Sequence, residues 1–87
     1  MRVDKFLKLS RLIKRRTVAK DVSDQGRVWV NGREAKASTH VKVGDELQIQ
    51  FGQKLLKVKV EQLFDAPRKD QADSMYTIIE ETRITTE

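Results

Sequence analysis

The sequence predicts an α+β fold in which two N-terminal helices pack on a small antiparallel sheet of four or five strands. Apolar residues recur at helical spacing over the first part of the chain, and from Val28 onward they alternate with polar residues as in strands. Two residue pairs typical of tight turns, Asn31-Gly32 and Gly52-Gln53, each separate two alternating runs. Helices followed by hairpins are the pattern of a sheet covered on one face.

Two helices are predicted before Gly26. The carboxylate of Asp4 can cap the first helix, because it can accept hydrogen bonds from the free N–H groups of the opening turn. Thr17 is the corresponding cap of the second helix, and Gly26 suits the left-handed position that ends it. The apolar residues expected on the buried faces are Val3, Phe6, Leu7, Leu9, Leu12 and Ile13 in the first helix and Val18, Ala19 and Val22 in the second.

Extended segments follow the helices. Val28 and Val30 face the core in the first strand, and the return strand lies near residues 33–36. Residues 37–40 are predicted as a loop, and residues 41–43 as a short extended piece. Two longer strands then form a second hairpin, whose inward residues are Leu47, Ile49 and Phe51 on one strand and Leu56, Val58 and Val60 on the other.

The pattern beyond residue 60 is weaker. Pro67 lies in a polar stretch, residues 65–70, that is typical of a linker. A short C-terminal helix is favoured, although residues 76–79 would also suit a strand; its apolar face would comprise Ala72, Met75, Tyr76 and Ile79. The predicted organisation is one domain over residues 1–64 and a short C-terminal extension over residues 65–87.

The composition argues against several classes of function. A chain of 87 residues forms one small core with little room for a catalytic cleft. It has no cysteine for a disulfide or a thiolate metal site, and its single histidine, His40, lacks the partners of a catalytic group. No apolar run is long enough to span a membrane, and the start lacks a secretory signal. We therefore expect a non-enzymatic, cytoplasmic monomer that needs neither metal nor cofactor.

Positive charge is concentrated at the N-terminus. The first twenty residues contain eight bases and one acid, a net charge of +7, whereas residues 61–87 carry a net charge of −4. Because Asp4 is the only acid in the first segment, salt bridges along the helix cannot neutralise its bases. A polyanion is the natural partner of such a surface. The predicted RNA-binding residues are Arg2, Lys5, Lys8, Arg11, Lys14, Arg15, Arg16 and Lys20.

RNA is favoured over DNA as that polyanion. Neither predicted helix presents the set of Asn, Gln and Arg side chains that reads bases in the major groove of DNA. Arg15 and Arg16 precede the second helix, where free N–H groups also favour a phosphate. Trp29 faces away from the inward valines of its strand, so that it could stack on a base or be covered by another segment; both interpretations stay open.

Several motifs resemble the S4 RNA-binding domain family. They are Arg2-Val3-Asp4-Lys5-Phe6-Leu7, the basic turn that ends at Arg16, Gly26-Arg27-Val28, Val30-Asn31-Gly32 and Val43-Gly44-Asp45. The resemblance covers residues 2 to about 60 and implies two helices on a small bent sheet. It also implies that Arg2 and Arg16 contact RNA, and that Asp4 orders the helix start and orients a neighbouring arginine.

Among stand-alone S4 proteins, the chain resembles those of bacterial ribosome-associated quality control, chiefly over residues 2–20 and 51–55. The implied role is to bind large ribosomal subunits that still hold a peptidyl-tRNA, with 23S rRNA and this tRNA as ligands. The implied protein partner is RqcH, whose C-terminal alanine tailing of the blocked nascent chain the protein would support. Two alternatives stay open: a ribosome-assembly or heat-shock factor that binds rRNA through the same surface, and an orphaned RNA-modification enzyme or its subunit.

Overall fold

The computed structural model describes residues 1–83, which form helices and a single sheet. The elements in chain order are α1 (Val3–Leu9), α2 (Arg16–Asp24), β1 (Val28–Val30), β2 (Arg33–Glu34), β3 (Glu46–Phe51), β4 (Lys54–Val60), α3 (Lys69–Ala72), a 3-10 helix (Asp73–Met75) and β5 (Tyr76–Arg83). None of the helices in this part of the chain is long and apolar enough to cross a membrane.

The sheet is antiparallel, with its strands in the order β2-β1-β3-β4-β5. The β1–β2 hairpin turns at Asn31 and Gly32, whose φ angles are 52° and 82°. A type I′ turn requires positive φ at both central residues, which Asn and Gly tolerate best. β3 and β4 form the second hairpin, with Leu47 opposite Val58. Both predicted hairpins are therefore confirmed, and so is the α+β class.

One hydrophobic core joins the helices to the sheet. Phe6 and Leu7 of α1 are fully buried, and they belong to the same cluster as the inward residues of β3 and β4. Glu46 and Lys59 alternate with those inward residues and are exposed, so the two faces of the sheet differ as predicted. The buried strand residues are Val28, Leu47, Ile49, Leu56, Val58 and Val60. Each such side chain stabilises the fold by about 1.5–3 kcal/mol.

Both N-terminal helices start before the predicted caps. Arg2 is extended and occupies the N-cap position of α1, so Asp4 lies in the first turn instead. Arg15 is the N-cap of α2, which begins at Arg16, and Thr17 is therefore inside the helix. Neither helix has a side-chain cap. The expectation that Asp4 and Thr17 cap these helices was wrong. Arg2 is extended because its backbone pairs with His40, so α1 begins at Val3. The turn before α2 leaves Arg15 extended, so α2 begins at Arg16.

The helix α2 buries a narrower stripe than predicted. Ala19 and Ser23 are buried and Val22 is half-buried, whereas Val18 is 44% exposed, contrary to the prediction. The Ser23 hydroxyl donates a hydrogen bond of 2.8 Å to the carbonyl oxygen of Ala19, which satisfies its polar group inside the core. The helix ends as expected, with Gly26 at a φ of 77°.

The segment between β2 and β3 is less regular than predicted. β2 ends at Glu34 rather than near Lys36, and residues 41–43 do not form a strand. Instead, the N–H of Val41 donates to the carbonyl oxygen of Met1 at 2.8 Å, and the N–H of Lys42 donates to Oδ2 of Asp45 at 2.9 Å. This loop therefore holds the first residues of the chain in place.

The C-terminal segment completes the sheet. The predicted helix through residues 72–79 was wrong, because α3 and the 3-10 helix end at Met75 and β5 begins at Tyr76. β5 pairs along β4 from Lys54 to Val60, and its β-branched residues suit an extended backbone. Met75 is fully buried in the core. A domain boundary at residue 64 stays a prediction.

Candidate nucleic-acid interface

A buried carboxylate organises the most positive part of the surface. The side chain of Asp4 is 3% exposed, and its oxygens lie 3.2 Å from Nε of Arg2 and 3.6 Å from Nε of Arg16. The N–H of Lys5 also donates to Oδ1 of Asp4 at 2.8 Å. We call Asp4, Arg2 and Arg16 the Asp4 cluster. Asp4 thus joins the starts of α1 and α2, which are twelve or more residues apart in the sequence.

The two arginines of this cluster remain available to a ligand. Their side chains are 43% exposed for Arg2 and 51% exposed for Arg16, although the carboxylate between them is buried. A guanidinium carries five N–H donors in a planar fork, more than one carboxylate can accept. Arg16 approaches Asp4 through Nε, which leaves its terminal nitrogens for a bidentate contact with phosphate. The cluster therefore presents two oriented and partly exposed guanidinium groups, whose contact with phosphate stays a prediction.

The loop after β2 fixes the backbone of the cluster. Arg2 forms an isolated antiparallel bridge with His40, and the N–H of Val3 donates to the carbonyl oxygen of Thr39 at 2.7 Å. The N–H of Ala37 in turn donates to Oδ1 of Asp24 at the end of α2, at 3.0 Å. The loop is therefore bonded both to the N-terminus and to the end of α2, and it holds the backbone of Arg2 in place.

A second group of bases lies at the end of α1 and in the turn that follows. Lys8, Arg11 and Lys14 line one shallow cavity of about 380 Å³. Arg11 has a φ of 65°, a conformation that costs a residue with a Cβ roughly 1–2 kcal/mol. All three side chains are exposed. We call these residues the turn cluster; the strained backbone of Arg11 directs the chain from α1 into the turn that carries Lys14.

The remaining predicted bases lie outside the Asp4 cluster and the turn cluster. Nζ of Lys5 lies 3.7 Å from Oδ1 of Asp65, which is almost fully exposed. Arg15 is extended at the N-cap of α2 and exposed, and Lys20 is exposed on α2. The structure thus places Arg2 near Arg16, and it places the three residues of the turn cluster around one cavity. Lys5, Arg15 and Lys20 belong to neither group. Contact with RNA stays a prediction for all eight bases.

Sequence reasoning missed the link between two of the motifs. Nδ2 of Asn31 donates to Oδ1 of Asp45 at 3.0 Å, and its own Oδ1 accepts a 2.9 Å hydrogen bond from the N–H of Glu46. Oδ2 of Asp45 accepts from the N–H of Lys42 at 2.9 Å. The two residues are 14 positions apart, and only the pairing of β1 with β3 brings them together. The hydrogen bonds of Asn31 with Asp45 and Glu46 thus support the turn of the β1–β2 hairpin.

Trp29 lies on β1, which has a paired strand on each side. It pairs with Glu34 on β2 and with Gln48 on β3, and it is half-buried. Its stacking on a base stays a prediction. No cluster of three or more metal-ligating acids or histidines occurs among residues 1–83.

Comparison with known proteins shows the family to which the chain belongs. The family model described as S4 domain matches residues 1–47, which include the Asp4 cluster, the turn cluster and the β1–β2 hairpin. The chain belongs to the S4 domain family. The predicted resemblance to this RNA-binding family is thereby confirmed.

Within this class the chain is similar to a particular protein of known role. It is 60% identical over 84 residues to the RQC P-site tRNA stabilizing factor of Bacillus subtilis, a match that covers 97% of this chain and 98% of the relative. The predicted resemblance to RqcP, or YabO, the quality-control member of bacteria related to Bacillus, is confirmed by this relative.

Two solved structures share the fold. The trimeric structure of heat shock protein 15 from Vibrio cholerae has a TM-score of 0.82 at 29% identity, covering 90% of this chain and 80% of that one. The solution structure of the hypothetical protein HP1423 has a TM-score of 0.75 at 37% identity, covering 92% of this chain and 98% of that one. The S4-like fold is therefore confirmed.

Proposed function

We propose that this protein is an RNA-binding factor of ribosome-associated quality control that acts in the cytoplasm and performs no catalysis of its own. It binds large ribosomal subunits that retain a peptidyl-tRNA, contacts 23S rRNA and this tRNA, and supports RqcH in adding the alanine tail. The observation that carries the proposal is the Asp4 cluster, which orients Arg2 and Arg16 outward from a buried carboxylate. Residues 1–64 are the RNA-binding domain, and residues 65–87 extend it.

The physical basis of the proposed action is charge neutralisation. Two RNA backbones that approach each other repel, and lysines and arginines placed on their phosphates relieve that repulsion and release bound counterions. The predicted contact residues are the eight bases of a segment with a net charge of +7. A small domain with such a surface can hold a tRNA against rRNA without reading its sequence. The similar protein of Bacillus subtilis is named for stabilising a tRNA, which supports this assignment.

Sedimentation tests the proposed function. Cells in which translation is stalled should contain the tagged protein in the large-subunit fraction, and a native pull-down should recover 23S rRNA, tRNA and RqcH. The tagged protein with both Arg27→Ala and Lys59→Ala is the control, because these exposed bases lie outside the predicted surface. Recovery of free small subunits, or of ribosome-free protein only, would contradict the proposal.

A second candidate function is supported by the solved structures. The TM-score of 0.82 with heat shock protein 15 favours a stress factor that binds rRNA through the same S4 domain. A stress factor of the small subunit would sediment with small subunits after heat shock, without a need for RqcH, so the subunit with which the protein sediments separates the two functions. The quality-control function predicts that deleting RqcH removes the alanine tails, and that deleting this protein reduces them in unheated cells.

The salt dependence of RNA binding measures the electrostatic part of the interaction. If about five phosphates are contacted, log affinity should fall with log salt concentration at a slope of roughly −3 to −4.5. Fluorescence anisotropy titrations of a labelled RNA stem-loop at several potassium chloride concentrations give this slope. A salt-independent affinity would show that the positive segment does not bind phosphate.

A further inference from the structure

An open groove lies beside the Asp4 cluster, between the β1–β2 hairpin and residues 39–45. It has a volume of about 670 Å³, and its walls include Arg33, His40 and Lys42. All three side chains are exposed. Val30 and Val41 also line it; Val30 is half-buried and supplies apolar surface, whereas Val41 is buried in the core. We call this feature the Arg33 groove.

Two acids, Glu34 and Asp45, line the groove together with Arg33 and Lys42, but neither acid forms an ion pair with either cation. Asp45 is 6% exposed, and its two oxygens accept hydrogen bonds from Asn31 and from the N–H of Lys42. The carboxylate of Glu34 lies against Gly26 at the end of α2. Neither Arg33 nor Lys42 makes an ion pair among residues 1–83. Two exposed cations therefore share one concave surface, an arrangement that favours an anion.

The groove is continuous with the candidate RNA interface. His40, on its wall, forms the antiparallel bridge with Arg2 of the Asp4 cluster. The N–H of Val41, the next residue, donates a 2.8 Å hydrogen bond to the carbonyl oxygen of Met1, which joins this wall of the groove to the N-terminus. Residues 33–42 carry three bases and one acid, a net charge of +2 apart from His40. The positive surface therefore extends from α1 and α2 across the loop.

We propose that the Arg33 groove is a second binding site for the phosphodiester backbone of RNA. The proposal rests on the proposed RNA-binding function and deepens it. The guanidinium of Arg33 can donate two parallel hydrogen bonds to one phosphate, and the ammonium of Lys42 supplies a point charge for a neighbouring one. A ring N–H of His40 can donate as well. The half-buried Val30 can contact a sugar, so the site binds backbone and reads no base.

A double variant with a matched control tests this site. Arg33→Ala with Lys42→Ala removes both cations of the groove, whereas Arg27→Ala with Lys59→Ala removes the same charge from exposed positions outside it. The groove variant should bind a fluorescein-labelled RNA stem-loop about fivefold more weakly or worse, and the salt slope should become less steep by about 1.4–1.8. The control should change affinity by less than about twofold and keep the slope.

The only histidine of the chain gives an independent readout. The ring resonances of His40 can be identified in an NMR spectrum without further assignment, because there is no other histidine. Adding the same RNA stem-loop should shift these resonances in the wild-type protein and in the control variant. In the groove variant the shifts should be lost, or should need a higher RNA concentration.

The outcomes separate failure of the groove from failure of the RNA-binding function. If the wild-type protein binds RNA with a steep salt slope, but both double variants behave alike and His40 does not respond, the groove proposal is overturned. If the wild-type protein shows no salt-dependent RNA binding, the proposed function fails together with the groove. Thermal melting curves establish that both variants are folded before these comparisons are made.

Discussion

A chain truncated after Val60 should lose its cooperative unfolding transition, although that segment has the weakest sequence pattern. The truncation removes Met75, which is fully buried in the core, and the whole of β5. It also leaves the outer edge of β4 without the partner with which it pairs over its full length. An exposed edge of this kind favours aggregation. Circular dichroism melting and size-exclusion chromatography of the truncated and full-length chains measure both effects.

A point substitution separates the loss of packing from the loss of the strand. Met75→Ala should lower the free energy of unfolding by about 2–5 kcal/mol, because it opens a cavity in the core. Ile79→Ala is the control on the same segment, since Ile79 is 46% exposed and should cost about 0.5 kcal/mol or less. A truncated chain that melts like the full-length protein would show that β5 adds little stability.

This result bears on RNA binding as well. The net charge of −4 over residues 61–87 predicts that the segment contributes no affinity for phosphate. The structure adds that removing it is not a clean test of that prediction, because Met75 supports the core under α1. Weak RNA binding by the truncated chain is informative only if its circular dichroism spectrum is unchanged.

The hairpins were predictable because their signals are local. Asn31 and Gly32 need positive φ, and the alternation of Leu47 and Ile49 with polar neighbours fixes which face is buried. The C-terminal strand was not predictable in this way. The spacing of apolar residues over 72–79 favoured a helix, although residues 76–79 also suited a strand, and pairing with β4 makes residues 76–79 a strand. Such pairing is a tertiary contact that no window of sequence contains.

The candidate site shows the same limit. Counting charges predicts the positive N-terminal segment, and the family resemblance predicts that Asp4 orients an arginine. The contact of Asp4 with both Arg2 and Arg16 depends on the packing of α1 against α2 and on the loop that holds residue 2. Likewise, Val18 is 44% exposed although its spacing suits the buried face of α2, because spacing alone does not determine how wide the buried stripe is.

The substitution Arg16→Ala should weaken RNA binding by roughly 1–3 kcal/mol, about fivefold to 150-fold, because it removes a charge-assisted and oriented phosphate contact. Arg16→Lys should restore only part of this affinity, since an ammonium cannot reproduce the bidentate geometry of a guanidinium. Adding Arg2→Ala to Arg16→Ala removes the whole cation pair and should bring the loss near or beyond a hundredfold. Anisotropy titrations with the labelled stem-loop measure each step.

Stability should respond far less than binding. The side chain of Arg16 is 51% exposed, so its ion pair with Asp4 contributes about 0.5–1 kcal/mol at most. After the substitution Asp4 still accepts from Arg2 and from the N–H of Lys5. Asp4→Asn is the complementary variant: it keeps the shape but leaves both arginines without their carboxylate. It should therefore lower both stability and affinity, whereas Arg16→Ala lowers mainly affinity.

In cells the Arg16→Ala variant should lose its function without a loss of protein abundance. The Arg16→Ala protein should be as abundant as the wild type, yet fail to sediment with large subunits, and alanine tailing should fall accordingly. The Arg27→Ala variant, which removes the same charge from an exposed position outside the predicted surface, should sediment normally. If Arg16→Ala instead sharply lowers the melting temperature, Arg16 is a structural residue. If it leaves subunit association intact, the Asp4 cluster is not the RNA contact, and the assignment of this surface is wrong.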